Sequence, residues 1–214
     1  MRTGVRGIAV GAALVIALTG CGGGGAATGT DAVTGTTDGK EDVPASLDAT
    51  GLINALPVSS EFTDGTYTGD DPEAVPAAEA VKFCADRLDV DCPGVTGASI
   101  KDLVLSGSSS ETGATFTLYT FGTEQEATAV LKAVEKERKA SDGTSGPFEP
   151  VKVEAGADET YAFERGEFVG VYLRVGTVVS YVSTLHWGRE WAERGAQVQV
   201  GRLKLVAAGG NPDL

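Results

Sequence analysis

The sequence predicts an α+β fold: an antiparallel sheet of about five strands packed against helices, forming a single domain behind a disordered tether. Three observations predict it. Residues 159–184 hold successive alternating apolar runs broken at Gly166 and Gly176, where hairpin turns need glycine. Residues 124–140 place apolar side chains at helical spacing behind Thr123-Glu124-Gln125-Glu126, a capping box. Four consecutive turn-linked strands stand between helices, which suits one sheet backed by helices.

The elements follow in order. Residues 48–56 read as a short helix with Asp48 as cap and Pro57 as stop. Residues 76–88 read as a second helix, with Pro76 in its first turn and Ala77, Ala80, Val81, Cys84 and Leu88 on one face. A strand is expected over 101–105 and another over 114–121, where Phe116 and Leu118 face one way and Thr115, Thr117 and Tyr119 the other. In the helix 124–140, Ala127, Val130, Leu131 and Val134 face inward, and Lys132, Lys136, Arg138 and Lys139 gather toward the end the dipole favours. Residues 141–147 read as a loop, and strands are expected over 151–155, 159–165, 167–175 and 177–184. In the third of these, Val169, Val171, Leu173 and Val175 oppose Phe168, Tyr172 and Arg174. A last helix runs from near Trp187 to about Leu205, with Trp187, Trp191 and Val198 on one stripe.

The chain begins with a separate object. Arg2 and Arg6 precede a compact apolar run from Gly7 to Leu18, too short for a bilayer, which needs about 20 residues. Basic start, short apolar core and small residues describe a secretory signal. The run ends in Leu18-Thr19-Gly20-Cys21, which resembles the bacterial lipobox. That resemblance implies that the Cys21 sulfur carries a diacylglyceryl group and that residues 1–20 are removed as a signal peptide. Two acyl chains anchor stably where one does not. Cleavage takes away Arg2 and Arg6 and no acid, leaving 15 basic against 30 acidic residues, a formal charge of −15.

Residues 22–46 are rich in glycine and threonine, and Val33 and Val43 are their only large apolar side chains. Nothing there offsets the entropy of ordering. As a flexible leash of this length, the segment spans roughly 25–30 Å. The domains expected are therefore the signal peptide 1–20, Cys21 with its linker to 46, an extracytoplasmic domain 47–206 and a disordered tail 207–214.

Composition narrows the function. The full 214-residue chain is 42% hydrophobic and 22% charged, which is globular, and carries a formal charge of −13. Nucleic acid needs a basic footprint, so no nucleic-acid partner is expected. Cys84 and Cys92 remain once Cys21 is lipidated, and an even pair in an exported domain reads as a disulfide. Closing so short a loop is worth about 2–3 kcal/mol. No cofactor is expected.

The order of elements carries a second resemblance. A short helix over 47–56 is followed by the cysteine-bearing helix at Cys84, then by Phe116-Thr-Leu-Tyr-Thr-Phe-Gly-Thr-Glu-Gln-Glu-Ala127, a strand running straight into a capped helix, then by hairpins and a terminal helix. This resembles the extracellular sensor domain of actinobacterial receptor serine/threonine kinases of mycobacterial type, which also occurs in free-standing lipoproteins. The resemblance rests on element order. Those domains usually carry two disulfides, whereas this one has cysteines for one. It implies a non-catalytic sensing or ligand-binding role. With the lipobox, the expected protein is anchored at the outer face of the cytoplasmic membrane and meets an unidentified small ligand or envelope protein; the alternatives are a protein-interaction or envelope-structural lipoprotein and an extracytoplasmic hydrolase.

Catalytic signals are poor. The sequence holds neither G-x-S-x-G nor a phosphate-binding P-loop motif. The serines of Gly107 to Ser110 read as a solvated loop, and His186, the single histidine, as a packed or capping imidazole beside Trp187. The acid pairs Asp158/Glu159, Glu164/Glu167 and Glu190/Glu193 could in principle run glycoside hydrolysis, but chance pairs abound in so acidic a chain. Residues 64–71 offer oxygen ligands without the EF-hand order. The candidates for ligand binding are aromatic. Tyr119, Phe168 and Tyr172 share the sheet face opposite the aliphatic core, and Trp187 and Trp191 can approach it. A second helix laid over that face, or plain cross-strand pairing, would make them structural instead.

Overall fold

The computed structural model describes residues 47–63, 65, 67–107, 112–141 and 146–213. The signal peptide, Cys21 and the linker lie outside the described residues, as does most of the serine loop after Gly107.

Four helices, α1 (Ala49–Asn54), α2 (Ala77–Leu88), α3 (Glu124–Ala140) and α4 (Gly188–Ala207), enclose an eight-stranded antiparallel sheet. The strands are β1 (Tyr67–Thr68), β2 (Glu73–Val75), β3 (Val95–Leu105), β4 (Gly113–Phe121), β5 (Glu149–Val151), β6 (Glu159–Arg165), β7 (Phe168–Val175) and β8 (Val178–Leu185). From edge to edge the order is β1, β3, β4, β8, β7, β6, β5, and β2 shares the outer edge of β3 with β1. The expected antiparallel sheet is present with more than five strands, because β1 and β2 are too short to alternate visibly and β3 is twice the expected run. β5 sits at 149–151 rather than 151–155.

Topology follows from the turns. Two-residue loops join β6 to β7 and β7 to β8, each with a glycine at its first position, Gly166 at φ +60° and Gly176 at φ +56°. Glycine at the first position of a two-residue loop is the type II′ requirement. α3 carries the chain from β4 across the sheet to β5, and the meander β5–β8 then returns to pair β8 with β4. The Thr123 cap is in place: its Oγ1 accepts from the Glu126 amide at 3.2 Å.

The alternation along the strands gives the sheet two buried faces. Leu103, Phe116, Leu118, Val171, Leu173 and Val182 meet α1 and α4 on one face. Ala98, Tyr119, Phe121, Tyr161, Phe163, Tyr172 and Val179 meet α2 and α3 on the other. The inward residues expected for α3 are the buried ones. In α2, Ala80, Cys84 and Leu88 are buried, but Val81 is 51% exposed. In α4 the buried stripe is Trp191, Ala192, Gly195, Ala196, Gln199, Arg202 and Leu203, and Val198 lies at its margin. Small residues win there because a Cβ on Gly195 would already stand 3.1 Å from the Trp191 ring and 3.4 Å from Phe116.

Of the disordered tail expected over 207–214, Ala207 belongs to α4 and residues 208–213 are described. Gly209 (φ +80°) closes α4, with the amides of Gly209 and Gly210 donating to Val206 and Leu205 carbonyls at 2.9 Å, and Asp213 reaches Arg202.

Candidate functional site

A cleft of about 510 Å³ lies between the C-terminal end of α2 and the middle of α3. Its apolar wall is Ala85, Val90 and Ala133, and its rim carries Asp86, Asp89, Asp91 and Glu137 with Lys136. Local chemistry builds it. α2 stops at Asp89, whose φ of +56° turns the chain left-handed, and the Cys84–Cys92 disulfide ties the following loop to the helix. The expected pairing of these cysteines is therefore observed.

Arg138 holds the two helices at this end. Its Nη1 donates to Asp89 at 2.9 Å, its Nη2 to the Leu88 carbonyl at 3.2 Å and its Nε to the Tyr172 hydroxyl at 3.4 Å. The guanidinium also lies 5.6 Å from the Phe148 ring centroid. Beneath it Tyr161, Tyr172 and Tyr181 occupy paired positions on β6, β7 and β8 and stack across the strands, Tyr172 and Tyr181 at 4.4 Å. Burial pushes the phenols of Tyr119, Tyr161, Tyr172 and Tyr181 above the ordinary tyrosine range, while Arg138 pulls Tyr172 partly back.

The five aromatic candidates do not converge. Tyr119, Phe168 and Tyr172 share the α2/α3 face, as their alternation implied, but Tyr119 and Tyr172 are fully buried there beneath helices. Trp187 and Trp191 belong to the opposite face, where Trp191 stacks on Phe62 at 4.8 Å and its Nε1 donates to the Tyr67 hydroxyl at 3.0 Å. α4 enters from the other side of the sheet, so the tryptophans cannot reach that aromatic row.

The singled-out acids are mostly tied down. Asp158 and Glu159 both engage Arg174, at 3.3 and 2.8 Å. Thr128 and Arg174 together hold the Glu159 carboxyl below its usual range. Glu164 and Glu167 do line one cavity of about 170 Å³ with His186. Glu164 is paired with Arg189 at 2.7 Å and Glu167 with His186 Nδ1 at 2.6 Å. Hydrolysis by two carboxyls needs one kept protonated, typically in an apolar pocket, whereas the Glu164 and Glu167 side chains are 34% and 73% exposed. His186 adopts φ +66° at the turn into α4, and its amide donates to the Glu167 carbonyl at 3.0 Å. Among the described residues, no group of three His, Cys, Asp or Glu side chains is placed to hold a metal ion.

The order and layering of these elements form an α+β fold, one antiparallel sheet between two layers of helices. The chain is similar to the extracellular domain of PknH from Mycobacterium tuberculosis, with 13% identity, a TM-score of 0.52, and coverage of 74% of this chain and 97% of that domain. A putative uncharacterised protein from Mycobacterium smegmatis is also similar, with 10% identity, a TM-score of 0.47, and coverage of 76% and 99%. No protein-family model matches the chain, and no curated protein matches its sequence. The resemblance drawn from element order thus holds at the level of fold.

Proposed function

We propose that the protein is an extracytoplasmic lipoprotein whose non-enzymatic domain binds a small ligand or an envelope protein in the manner of a sensor domain. Cys21 carries the diacylglyceryl anchor, residues 22–46 are the tether, and the domain stands at the outer face of the cytoplasmic membrane. The observation that carries the reading is the shared fold with the extracellular domain of PknH over nearly that domain's whole length, behind a lipobox-like Leu18-Thr19-Gly20-Cys21. The Cys84–Cys92 bridge suits an oxidising compartment. The α2/α3 cleft is the binding region we favour. Its apolar wall and four rim carboxylates suit a ligand with a small apolar body and a positive charge.

Two measurements test this. Cells fed a clickable palmitate analogue should label the protein and retain it in membranes, and Cys21→Ser should lose both label and retention. Native mass spectrometry of the protein taken directly from membranes should show an adduct that leaves on gentle activation. Asp89→Ala with Asp86→Ala should weaken its retention. Labelling unchanged in Cys21→Ser would overturn the anchor, and an adduct indifferent to the rim acids would remove the cleft from the reading.

A further inference from the structure

We propose that Lys101 and Arg202, on the α1/α4 face of the sheet, form a second binding site, for a small oxyanion of the carboxylate or phosphate class, and that Asp213 of the chain itself fills part of it. This site lies on the opposite face from the α2/α3 cleft and stands or falls separately.

Arg202 is a buried arginine, 4% exposed, on the inner stripe of α4. Its Nη2 donates to the Asn54 carbonyl at 2.6 Å and its Nη1 to Glu61 Oε2 at 3.2 Å. Both Nη1 and Nη2 also donate to a single oxygen, Asp213 Oδ1, at 3.0 Å. Its Nε is buried with no partner. Lys101 stands on the same face of β3 as Ser99, whose Oγ donates to the Leu52 carbonyl of α1 at 3.3 Å, and it is only partly exposed. Burial, then the neighbouring Arg202 charge, push its ammonium below the usual lysine range, against the pull of Asp71, Asp213 and Glu61. No ion pair within salt-bridge reach relieves it among the described residues.

The two carboxylates at the fork are not equivalent. Glu61 is built in, because its Oε2 also accepts from the Val58 amide at 2.8 Å. Asp213 is not. It sits beyond the end of α4, its side chain is 47% exposed, and one of its oxygens spans the whole fork. A guanidinium fork matches two oxygens side by side, and Asp213 supplies one while leaving Lys101 unpaired. A ligand with two or three oxygens can take the fork and Lys101 together, which is chemistry the internal carboxylate does not satisfy. In displacing Asp213 it releases residues 211–213, while the Gly209 and Gly210 amides stay bonded to α4.

The test uses the full-length protein in detergent micelles, with amide resonances followed at constant ionic strength. Orthophosphate and succinate are titrated separately into wild type, Asp213→Ala, and Lys101→Met in the Asp213→Ala background. Removing an internal competitor raises the competent fraction, so Asp213→Ala should bind at least one probe about tenfold more tightly, with shifts centred on Asn54, Glu61 and Lys101. Adding Lys101→Met should reverse most of that gain. Orthophosphate alone responding assigns the phosphate class, and succinate alone the carboxylate class. If Asp213→Ala keeps its folded spectrum and gains affinity for neither probe, or if Lys101→Met leaves the gain intact, the proposal is overturned and Asp213 is a structural salt bridge only.

Discussion

The two faces of the sheet are covered in different ways. On one face a single 20-residue helix, α4, lies close to the strands, and α1 packs beside it. Small residues set that closeness, with Trp191 and Phe62 filling the end. Its polar side chains are drawn into the interior, where Gln199 donates to the Ala55 carbonyl at 2.7 Å and Arg202 to the Asn54 carbonyl. The other face is covered by two separate helices, α2 and α3, tied by a disulfide at one end of α2 and by Arg138 between them. A cleft remains there. The comparison teaches a difference in packing: small residues let one helix lie close on the α4 face, whereas two helices on the α2/α3 face leave a cleft between them.

The largest break in that comparison should come from the closed face. Trp191→Ala removes a buried ring, its stack on Phe62 and its bond to Tyr67, and is expected to cost about 3–5 kcal/mol, read as a shift in denaturant midpoint. On the other face, replacing Cys84 and Cys92 together by serine should cost about 2–3 kcal/mol, with the loss visible first as proteolysis near residues 89–94. Arg138→Met leaves the Leu88 carbonyl and Asp89 without their partner. It should cost about 1–3 kcal/mol and weaken α2 more than α4.

High pH sharpens the contrast further. Tyr119, Tyr161, Tyr172 and Tyr181 all lie on the α2/α3 face and have folded pKa values raised above 10.0, chiefly by burial. The unfolded chain therefore loses these protons first. Their contribution is fully present below about pH 10 and is lost as the pH rises through the folded values. Phenolate absorbance should accordingly lag behind that of free tyrosine and then appear together with unfolding. Absorbance rising near pH 10 with the fold intact would contradict the burial. The smallest effect should come from Thr123→Ala, which removes the α3 cap for about 1 kcal/mol without touching α4.

What could be read in the sequence follows from where the pattern is strong. α3 and β6–β8 were legible almost to the residue, because alternation, a capping residue and turn glycines agree there. β1, β2 and β5 were not, since two or three residues on an edge carry no period. The stripe of α4 was misjudged toward Val198 because alanine, glycine, Gln199 and Arg202 do not look like core. The same blindness hid the polar sites. Arg138 reads as a helix-end cation and nothing in the sequence singles out Arg202, until the fold brings carbonyls and acids from distant elements around them. Asp48, Pro76 and Pro57 marked helix ends correctly, but no local signal says which face of the sheet a helix will cover.

The most direct test of the two-face account is amide hydrogen exchange of the full-length protein, read by element. Amides of α4 and of β4, β7 and β8 should exchange only through global unfolding, while those of α2 and the 89–94 loop should open locally and faster, and faster still once the disulfide is reduced. Equal protection of α2 and α4, unchanged on reduction, would contradict the account.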